Sequence, residues 1–253
     1  ASLFDINSST GVITFKTSPN YESPSDAGSN NVYNITVTAS DGTLTNSKAV
    51  AITVTNVNET PTDIALSSSS VAENQSSGTT VGTFSTTDPD TGNTFTYTLV
   101  SGTGDTDNAS FTIESGVLKT AASFDYETKS SYSIRVRSTD QGGLSTDKTF
   151  TISVTDVNES PSVTSGSTAS FAENGTGTVY TAIATDPDAG TTLSYSISGT
   201  DAALFNINSS TGVITFKTSP NYELPSDAGS DNVYNITVTA SDGTLTNSKA
   251  VAI

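Results

Sequence analysis

The chain contains no histidine, cysteine, methionine or tryptophan. Without cysteine it can form neither disulfides nor thiolate zinc sites, and without histidine it lacks the commonest general base of enzymes. The absence of cysteine does not place the protein in the cytosol, because metal ions can stabilise a secreted domain in place of disulfides.

Positive charge is also scarce. Lysine and arginine number 9 against 26 aspartates and glutamates, which gives a net charge of −17. This balance disfavours nucleic acid and anionic membranes as partners and favours cations. No apolar run approaches the roughly 18 residues of a membrane-spanning helix, so we expect no membrane insertion in this segment.

Two internal repeats divide the sequence. Residues 3–52 return at 204–253 with three differences, and the segment around Asn58 returns around Asn158, 100 residues later. A period of 100 residues is about the length of one β-sandwich domain. We predict three units: the C-terminal part of a domain at 1–57, a complete domain at 58–157, and a domain at 158–253 that lacks the end of its last strand. We therefore expect a piece of a longer repeat protein.

Short segments of alternating apolar and polar residues fill each unit. Phe95, Tyr97 and Leu99 alternate with threonines, and residues 132–137 alternate in the same way. Such alternation, with turn signals every 8–12 residues or so, is typical of antiparallel strands. We predict an all-β fold of tandem, immunoglobulin-like, seven-stranded Greek-key β-sandwiches.

Acidic residues recur at matching places in these units. A glutamate follows the first strand, an Asp-Pro-Asp and an Asp/Asn-Tyr-Glu come later, another aspartate follows the penultimate strand, and each linker is acidic and ends in proline. The positions are Glu22, Glu59, Glu73, Asp88, Asp90, Asp125, Glu127, Asp140, Asp156, Glu159, Asp186, Asp188 and Asp242. Carboxylates crowded in a short segment repel one another, and their oxygens are the ligands that Ca²⁺ prefers.

In their order and spacing these motifs resemble the cadherin repeat over nearly the whole chain. The Asp-Pro-Asp variant and the near-identical repeats resemble the bacterial cadherin-like branch. The resemblance implies Ca²⁺ ions bound at the linkers, with ligands from both neighbouring sandwiches. At the second linker it implies Glu73, Asp125, Glu127, Asp156, Asn158, Glu159, Asp186, Asp188 and Asp242.

At the first linker the resemblance implies a smaller set of ligands. These are Glu22, Asn58, Glu59, Asp88, Asp90 and Asp140. The linker departs from the pattern because Asn20 and Asn56 stand where the motif has aspartates. Fewer charged ligands weaken calcium binding, so we expect one site there to be poor or empty.

The resemblance implies a calcium-dependent, rod-like structural or adhesion protein, extracellular, at the cell surface or secreted by a bacterium, in which Ca²⁺ stiffens the linkers. Self-association and a cell-surface or polysaccharide ligand are the expected partners.

The alternative is a carbohydrate-binding module that uses a sandwich face or the Pro/Gly loop at 224–229. Tyr126 and Tyr222 could stack on a sugar, although rings packed beside a metal site are favoured. Near-verbatim repetition suits a scaffold, so we predict that the chain is not an enzyme.

Overall fold

The computed structural model describes residues 2–253, and it is all-β, which confirms the predicted fold class. Two 3₁₀ turns, Asn108–Ser110 and Ala202–Leu204, interrupt the strands. Within the described range, no helix has the length and apolar character needed to cross a membrane. By their spatial neighbours the residues group into two compact units. Unit 1 comprises the residues up to Val71, Gln75–Ser123 and Ser131–Ser153, and unit 2 comprises Ala72–Asn74, Phe124–Ser130 and Val154–Ile253.

Unit 1 begins with two separate hairpins. Their strands are β1 (Phe4–Ile6), β2 (Ile13–Phe15), β3 (Val32–Ser40) and β4 (Thr45–Thr53). β1 pairs only with β2, and β3 only with β4, among the residues described. The rings of Phe4, Phe15 and Tyr33 pack together, with Phe15 and Tyr33 edge to face at 5.2 Å between centroids.

The middle repeat supplies eight strand segments in two four-stranded sheets. The segments are β5 (Asp63–Leu66), β6 (Ser70–Ala72), β7 (Thr80–Thr87), β8 (Phe95–Leu99), β9 (Phe111–Glu114), β10 (Val117–Thr120), β11 (Ser131–Asp140) and β12 (Ser145–Thr155). The sheet orders are β5-β7-β10-β9 and β6-β12-β11-β8. Eight segments replace the expected seven strands because residues 67–69 interrupt the first strand, whose two parts join different sheets.

Gly82 lies where that first strand changes sheets. A Cβ atom at residue 82 would lie 2.5 Å from the backbone oxygen of Ser68, which is far inside van der Waals contact. Only glycine allows the two backbones to approach this closely. Because Gly82 has no side chain, the segment at Ser68 that joins β5 to β6 can pass close to β7.

Alternation along the strands builds the core between the two sheets. Ile134 and Val136 on β11 and Ile152 on β12 are fully buried, and Ile64 and Leu118 fill the space from the opposite sheet. Burial of such side chains stabilises the fold by about 1.5–3 kcal/mol each. The Asp88-Pro-Asp90 turn and the end of β11 at Asp140 follow directly from core strands, which places their carboxylates near the first linker.

Unit 2 contains the strands of the third repeat. They are β13 (Ser162–Val163), β14 (Thr178–Thr181), β15 (Ala184–Thr185), β16 (Ser194–Ser198), β17 (Phe205–Ile207), β18 (Val213–Phe216), β19 (Asn235–Ser241) and β20 (Thr246–Ala252). The sheets are β13-β15, β14-β18-β17 and β16-β19-β20. Val179 and Tyr180 on β14 pack with Ile214, Ile236 and Val238 in one buried cluster. The two compact units cut across the middle repeat, and the predicted domain boundaries at 57 and 157 stay a prediction.

Candidate metal centres

A buried glutamate lies at the base of the second linker. Glu73 is fully buried, and its carboxylate accepts hydrogen bonds from the backbone nitrogens of Tyr126 and Val157, both at 2.8 Å. Both donors lie next to predicted ligands, Tyr126 between Asp125 and Glu127, and Val157 after Asp156. Glu73 therefore holds the Asp-Tyr-Glu motif and the linker together, as expected of a side chain that organises a site.

Two groups of three carboxylates form around this glutamate. Glu73, Asp125 and Glu127 make the first group, and Glu127, Asp156 and Asp188 make the second. In each group one oxygen per residue lies within 4.8 Å of the others. At such separations two unit charges repel by roughly 1–4 kcal/mol in water or near a protein surface, so each group attracts a cation.

Asp186 and Glu159 complete the carboxylates of the second linker. The backbone nitrogen of Glu159 donates to Asp188 Oδ2 at 2.9 Å, and that of Asp188 donates to Asp186 Oδ1 at 3.0 Å. Glu159 Oε2 and Asp186 Oδ2 are buried, and neither accepts a hydrogen bond from any described residue. A buried anionic oxygen without a donor is costly, and a bound cation removes that cost.

Asn158 and Asp242 form a polar pair in the same unit. The amide of Asn158 donates to Asp242 Oδ2 at 2.8 Å and to the backbone oxygen of Glu159 at 3.2 Å. The other oxygen of Asp242 accepts from the backbone nitrogens of Thr244 and Leu245. These hydrogen bonds, led by that of Asn158, lower the pKa of Asp242.

Four other carboxyl groups at this linker have pKa values shifted in the opposite direction. Partial burial, followed by repulsion from neighbouring carboxylates, raises the pKa of Glu127, Asp156, Glu159 and Asp186. Asp125 is an exception, since hydrogen bonds from Thr128 lower its pKa. The ionised form of the cluster is therefore disfavoured as long as no cation balances it.

The first linker gathers a smaller group of the same kind. Oxygens of Glu22, Glu59 and Asp90 lie within 4.8 Å of one another. Asp90 is buried, and it accepts from the side-chain amide of Asn56 and from the backbone nitrogen of Glu59, both at 2.8 Å. These two bonds lower the pKa of Asp90, whereas partial burial and the charges of Glu22 and Asp90 raise that of Glu59.

Asp88, Asn58 and Asp140 surround this group. Asp88 Oδ1 accepts from the backbone nitrogen of Asp90 at 2.9 Å, and Asn58 donates to Asp140 Oδ2 at 2.9 Å, as Asn158 does to Asp242. Three carboxylate oxygens are buried without a donor from the described chain. They belong to Glu22, Glu59 and Asp88.

The donor set at both linkers fits Ca²⁺. Ca²⁺ takes six to eight oxygen ligands, and its usual ligands are carboxylates and amide or backbone carbonyls. The carboxylates and the buried oxygens without donors of the first linker all lie in unit 1, and those of the second linker all lie in unit 2. The predicted residues outside the three carboxylate groups are Asn58, Asp88, Asp140, Asn158, Glu159, Asp186 and Asp242. Asn58, Asp88, Glu159 and Asp186 share a hydrogen bond with a member of a group, whereas Asp140 is bonded to Asn58, and Asp242 to Asn158.

Asn74 contacts the second linker although it was not among the predicted site residues, and one tyrosine is more exposed than predicted. Asn74 has a left-handed backbone (φ 59°), and its amide contacts Glu159 Oε1. Its place after Glu73 and its tolerance of this conformation were the available signals. Tyr126 and Tyr222 are 36% and 65% exposed, so the prediction of a packed side chain is wrong for Tyr222.

The two-sheet sandwich of the middle repeat, the recurrence of its strands in the third repeat and the acidic clusters at the linkers define a class of β-sandwich repeats with candidate cation sites. A family model described as "Cadherin domain" matches residues 67–155 and 167–252, together more than half of the chain. The chain belongs to the cadherin domain family.

Known proteins of this family resemble the chain along most of its length. Protein dachsous of Drosophila melanogaster is 32% identical over 234 residues, or 85% of the chain, and human protocadherin gamma-A4 is 31% identical over 243 residues, or 87%. The crystal structure of mouse cadherin-23 EC22-24 matches 100% of the chain and 81% of its own length, with 25% identity and a TM-score of 0.66. The chain spans only 6% of dachsous and 24% of the protocadherin.

Proposed function

We propose that this chain is a run of calcium-dependent repeats from an extracellular adhesion protein, in which Ca²⁺ fixes each linker to its neighbouring sandwiches. One observation carries the proposal. Both linkers combine buried carboxylate oxygens that lack donors with a group of three carboxylates, and the residues concerned occupy matching positions of the repeat. Membership of the cadherin domain family supports the same function.

Two different sets of residues would bind two ions at the second linker. Glu73, Asp125 and Glu127 would hold one ion, and Glu127, Asp156 and Asp188 a second. Bound Ca²⁺ supplies positive charge that cancels the repulsion among these side chains. Because the ligands come from segments far apart in sequence, their shared ion would restrict the motion of the linker.

A calcium titration of the chelator-treated chain by isothermal calorimetry tests the proposal. Glu127→Gln removes the charge common to both groups and is expected to abolish binding at the second linker. Glu114→Gln is the matched control, because Glu114 is also exposed but pairs with Lys119 at 2.6 Å, away from the linkers. Equal binding by the two variants, or no calcium binding by the unaltered chain, would refute the proposal.

The finer parts of the functional prediction need separate support. A bacterial origin stays a prediction, and the fly and human relatives do not favour it. The rod shape and self-association are also proposals, to be tested by small-angle scattering and sedimentation with and without calcium. Tyr222 is exposed, so a carbohydrate could reach it, and a glycan array tests the carbohydrate-binding alternative.

A further inference from the structure

An inserted loop in the first and third repeats is closed by a buried aspartate. Residues 22–32 and 223–233 are each six positions longer than the equivalent segment 127–131 of the middle repeat. In the first repeat Asp26 is 8% exposed and accepts hydrogen bonds from three backbone nitrogens of the loop, at 2.9–3.2 Å. Asp227 is 5% exposed and accepts from two backbone nitrogens at 3.0 Å. The loop therefore has a conformation defined by its own hydrogen bonds in both repeats.

Asn31, near the end of this loop, joins three parts of the first repeat. It is 9% exposed and has φ 63°, a left-handed conformation that asparagine tolerates. Its backbone nitrogen donates to Asp26 at 2.9 Å, its backbone oxygen accepts from the nitrogen of Val54 at 2.9 Å, and its side-chain amide donates to the backbone oxygen of Tyr21 at 2.8 Å. Asn31 thus connects the loop, the segment that follows β4 and the Asn-Tyr-Glu motif.

Both segments that Asn31 connects lead to groups of the first linker. Glu22, directly after Tyr21, belongs to the three-carboxylate group there, and Val54 lies two positions before Asn56. The side-chain oxygen of Asn31 is buried and accepts no hydrogen bond from any described residue. Such an uncompensated polar atom is unfavourable for stability and is typical of functional positions. The hydrogen bond that the Asn31 side chain does make is directed at the motif.

The other two repeats show that this hydrogen bond accompanies the inserted loop. In the third repeat, Asn232 has φ 61° and donates to the backbone oxygen of the motif tyrosine at 3.1 Å. In the middle repeat, Ser130 accepts the equivalent backbone hydrogen bond from Val154 at 2.9 Å but has no side-chain amide. There the motif is closed by the short turn in which Thr128 donates to Asp125.

We propose that Asn31 is a positioning residue that holds the Asn-Tyr-Glu motif at the first linker, so that the inserted loop determines the calcium affinity of this linker. The inference rests on the proposed function, because it assigns Asn31 a role towards the same cation. A carboxylate such as Glu22 that is already held in place need not be ordered by the ion, which favours binding. This effect offsets part of the charge that the first linker lacks at Asn20 and Asn56.

Hydrogen exchange recorded during a calcium titration tests the role of Asn31. Asn31→Gly keeps the left-handed backbone and removes the amide. The calcium concentration that gives half-maximal protection of residues 54–59 should rise about 10-fold or more, which is the usual effect of removing a partner that orients a metal ligand. Asn232→Gly is the matched control, since it removes the same hydrogen bond in unit 2, and it should leave that concentration unchanged. In chelator, residues 21–23 should exchange faster in Asn31→Gly alone.

A double-mutant cycle with Glu22→Gln separates positioning from a purely structural role. If Asn31 acts through Glu22, Asn31→Gly should have little further effect on the calcium concentration once Glu22→Gln is present. Independent effects would overturn the inference. So would Asn31→Gly with a lower melting temperature in chelator but an unchanged calcium concentration at half-protection.

Failure of this inference is distinguishable from failure of the proposed function. If the unaltered chain binds no calcium, the proposed function is refuted and the inference with it. If the unaltered chain binds calcium but residues 54–59 gain no protection, or Asn31→Gly and Asn232→Gly behave alike, only the inference is overturned.

Discussion

The side-chain amide of Asn56 donates a 2.8 Å hydrogen bond to Oδ1 of Asp90. At the same place in the next linker, Asp156 brings a second carboxylate within 4.8 Å of Asp188. One position of the repeat is thus a neutral donor in the first linker and an added negative charge in the second. The first linker is partly balanced by its own amide, whereas the second carries one more negative charge for a cation to balance.

Asn56→Asp should strengthen calcium binding at the first linker. It replaces a competing donor with a charged ligand, and one unit charge at ligand distance corresponds to about tenfold in affinity. Asp156→Asn should weaken binding at the second linker by a similar factor. Calorimetric titrations of both variants check the pair, and unchanged affinity in both would argue against a charge-controlled difference between the linkers.

Glu73→Gln should destabilise the metal-free chain. The glutamine amide nitrogen cannot accept a hydrogen bond, so the backbone nitrogen of Val157 or Tyr126 loses its partner, at a cost of about 1–3 kcal/mol. Urea denaturation in the presence of a chelator measures this cost. Glu173→Gln is the matched control, since Glu173 accepts from Tyr222 at 3.0 Å but is exposed. Equal losses in the two variants would contradict the role assigned to burial.

Stability should depend on pH with opposite signs in the two metal states. The pKa values of Glu59, Glu127, Asp156, Glu159 and Asp186 are raised by folding, from ordinary values of 3.8 for aspartate and 4.5 for glutamate. At these five groups the metal-free folded chain therefore takes up protons at a higher pH than the unfolded chain, whereas carboxyl groups with lowered pKa values, such as Asp90 and Asp147, take them up only at a lower pH. Its free energy of unfolding should rise as the pH falls from neutral towards those ordinary values.

With calcium present the slope should reverse. Ca²⁺ binds the ionised carboxylates, and protons compete with it over the same pH range. Melting temperatures recorded from pH 7 downwards, in chelator and in calcium, measure both slopes. Slopes of the same sign would show that these carboxylates are not the calcium ligands.

Gly82→Ala should destabilise the middle repeat by about 1–3 kcal/mol, the usual cost of overpacking. The added methyl group would overlap the backbone of Ser68. Gly166→Ala is the control, since its nearest contact is an ordinary 3.7 Å. Thermal unfolding of both variants measures the difference, and equal stabilities would mean that the strand crossing relaxes easily.

Much of the fold followed from the sequence because a period of two residues specifies both strand and face. Alternation around Ile134 and Val136 was enough to predict which side chains are buried. The division of the first strand was not predictable in this way. It depends on the close approach of Gly82 to Ser68, which are distant enough in sequence that only the folded chain brings them together.

The candidate ligands were predictable as a set but not as an arrangement. Recurrence at a fixed period selected Glu127 and Asp188, yet no pattern indicates which carboxylates share a group of three. The contact of Asn74 with Glu159 joins residues 85 positions apart. Exposure of Tyr222 depends on its tertiary neighbours, which the Asn-Tyr-Glu motif does not specify.

Glu127 belongs to both carboxylate groups of the second linker. Once one of its oxygens binds a cation, the side chain is already oriented for the other group, and this orientation no longer opposes binding of the second ion. Binding at the two sites is then expected to be cooperative, so that the linker would change from mobile to rigid over a narrow interval of calcium concentration.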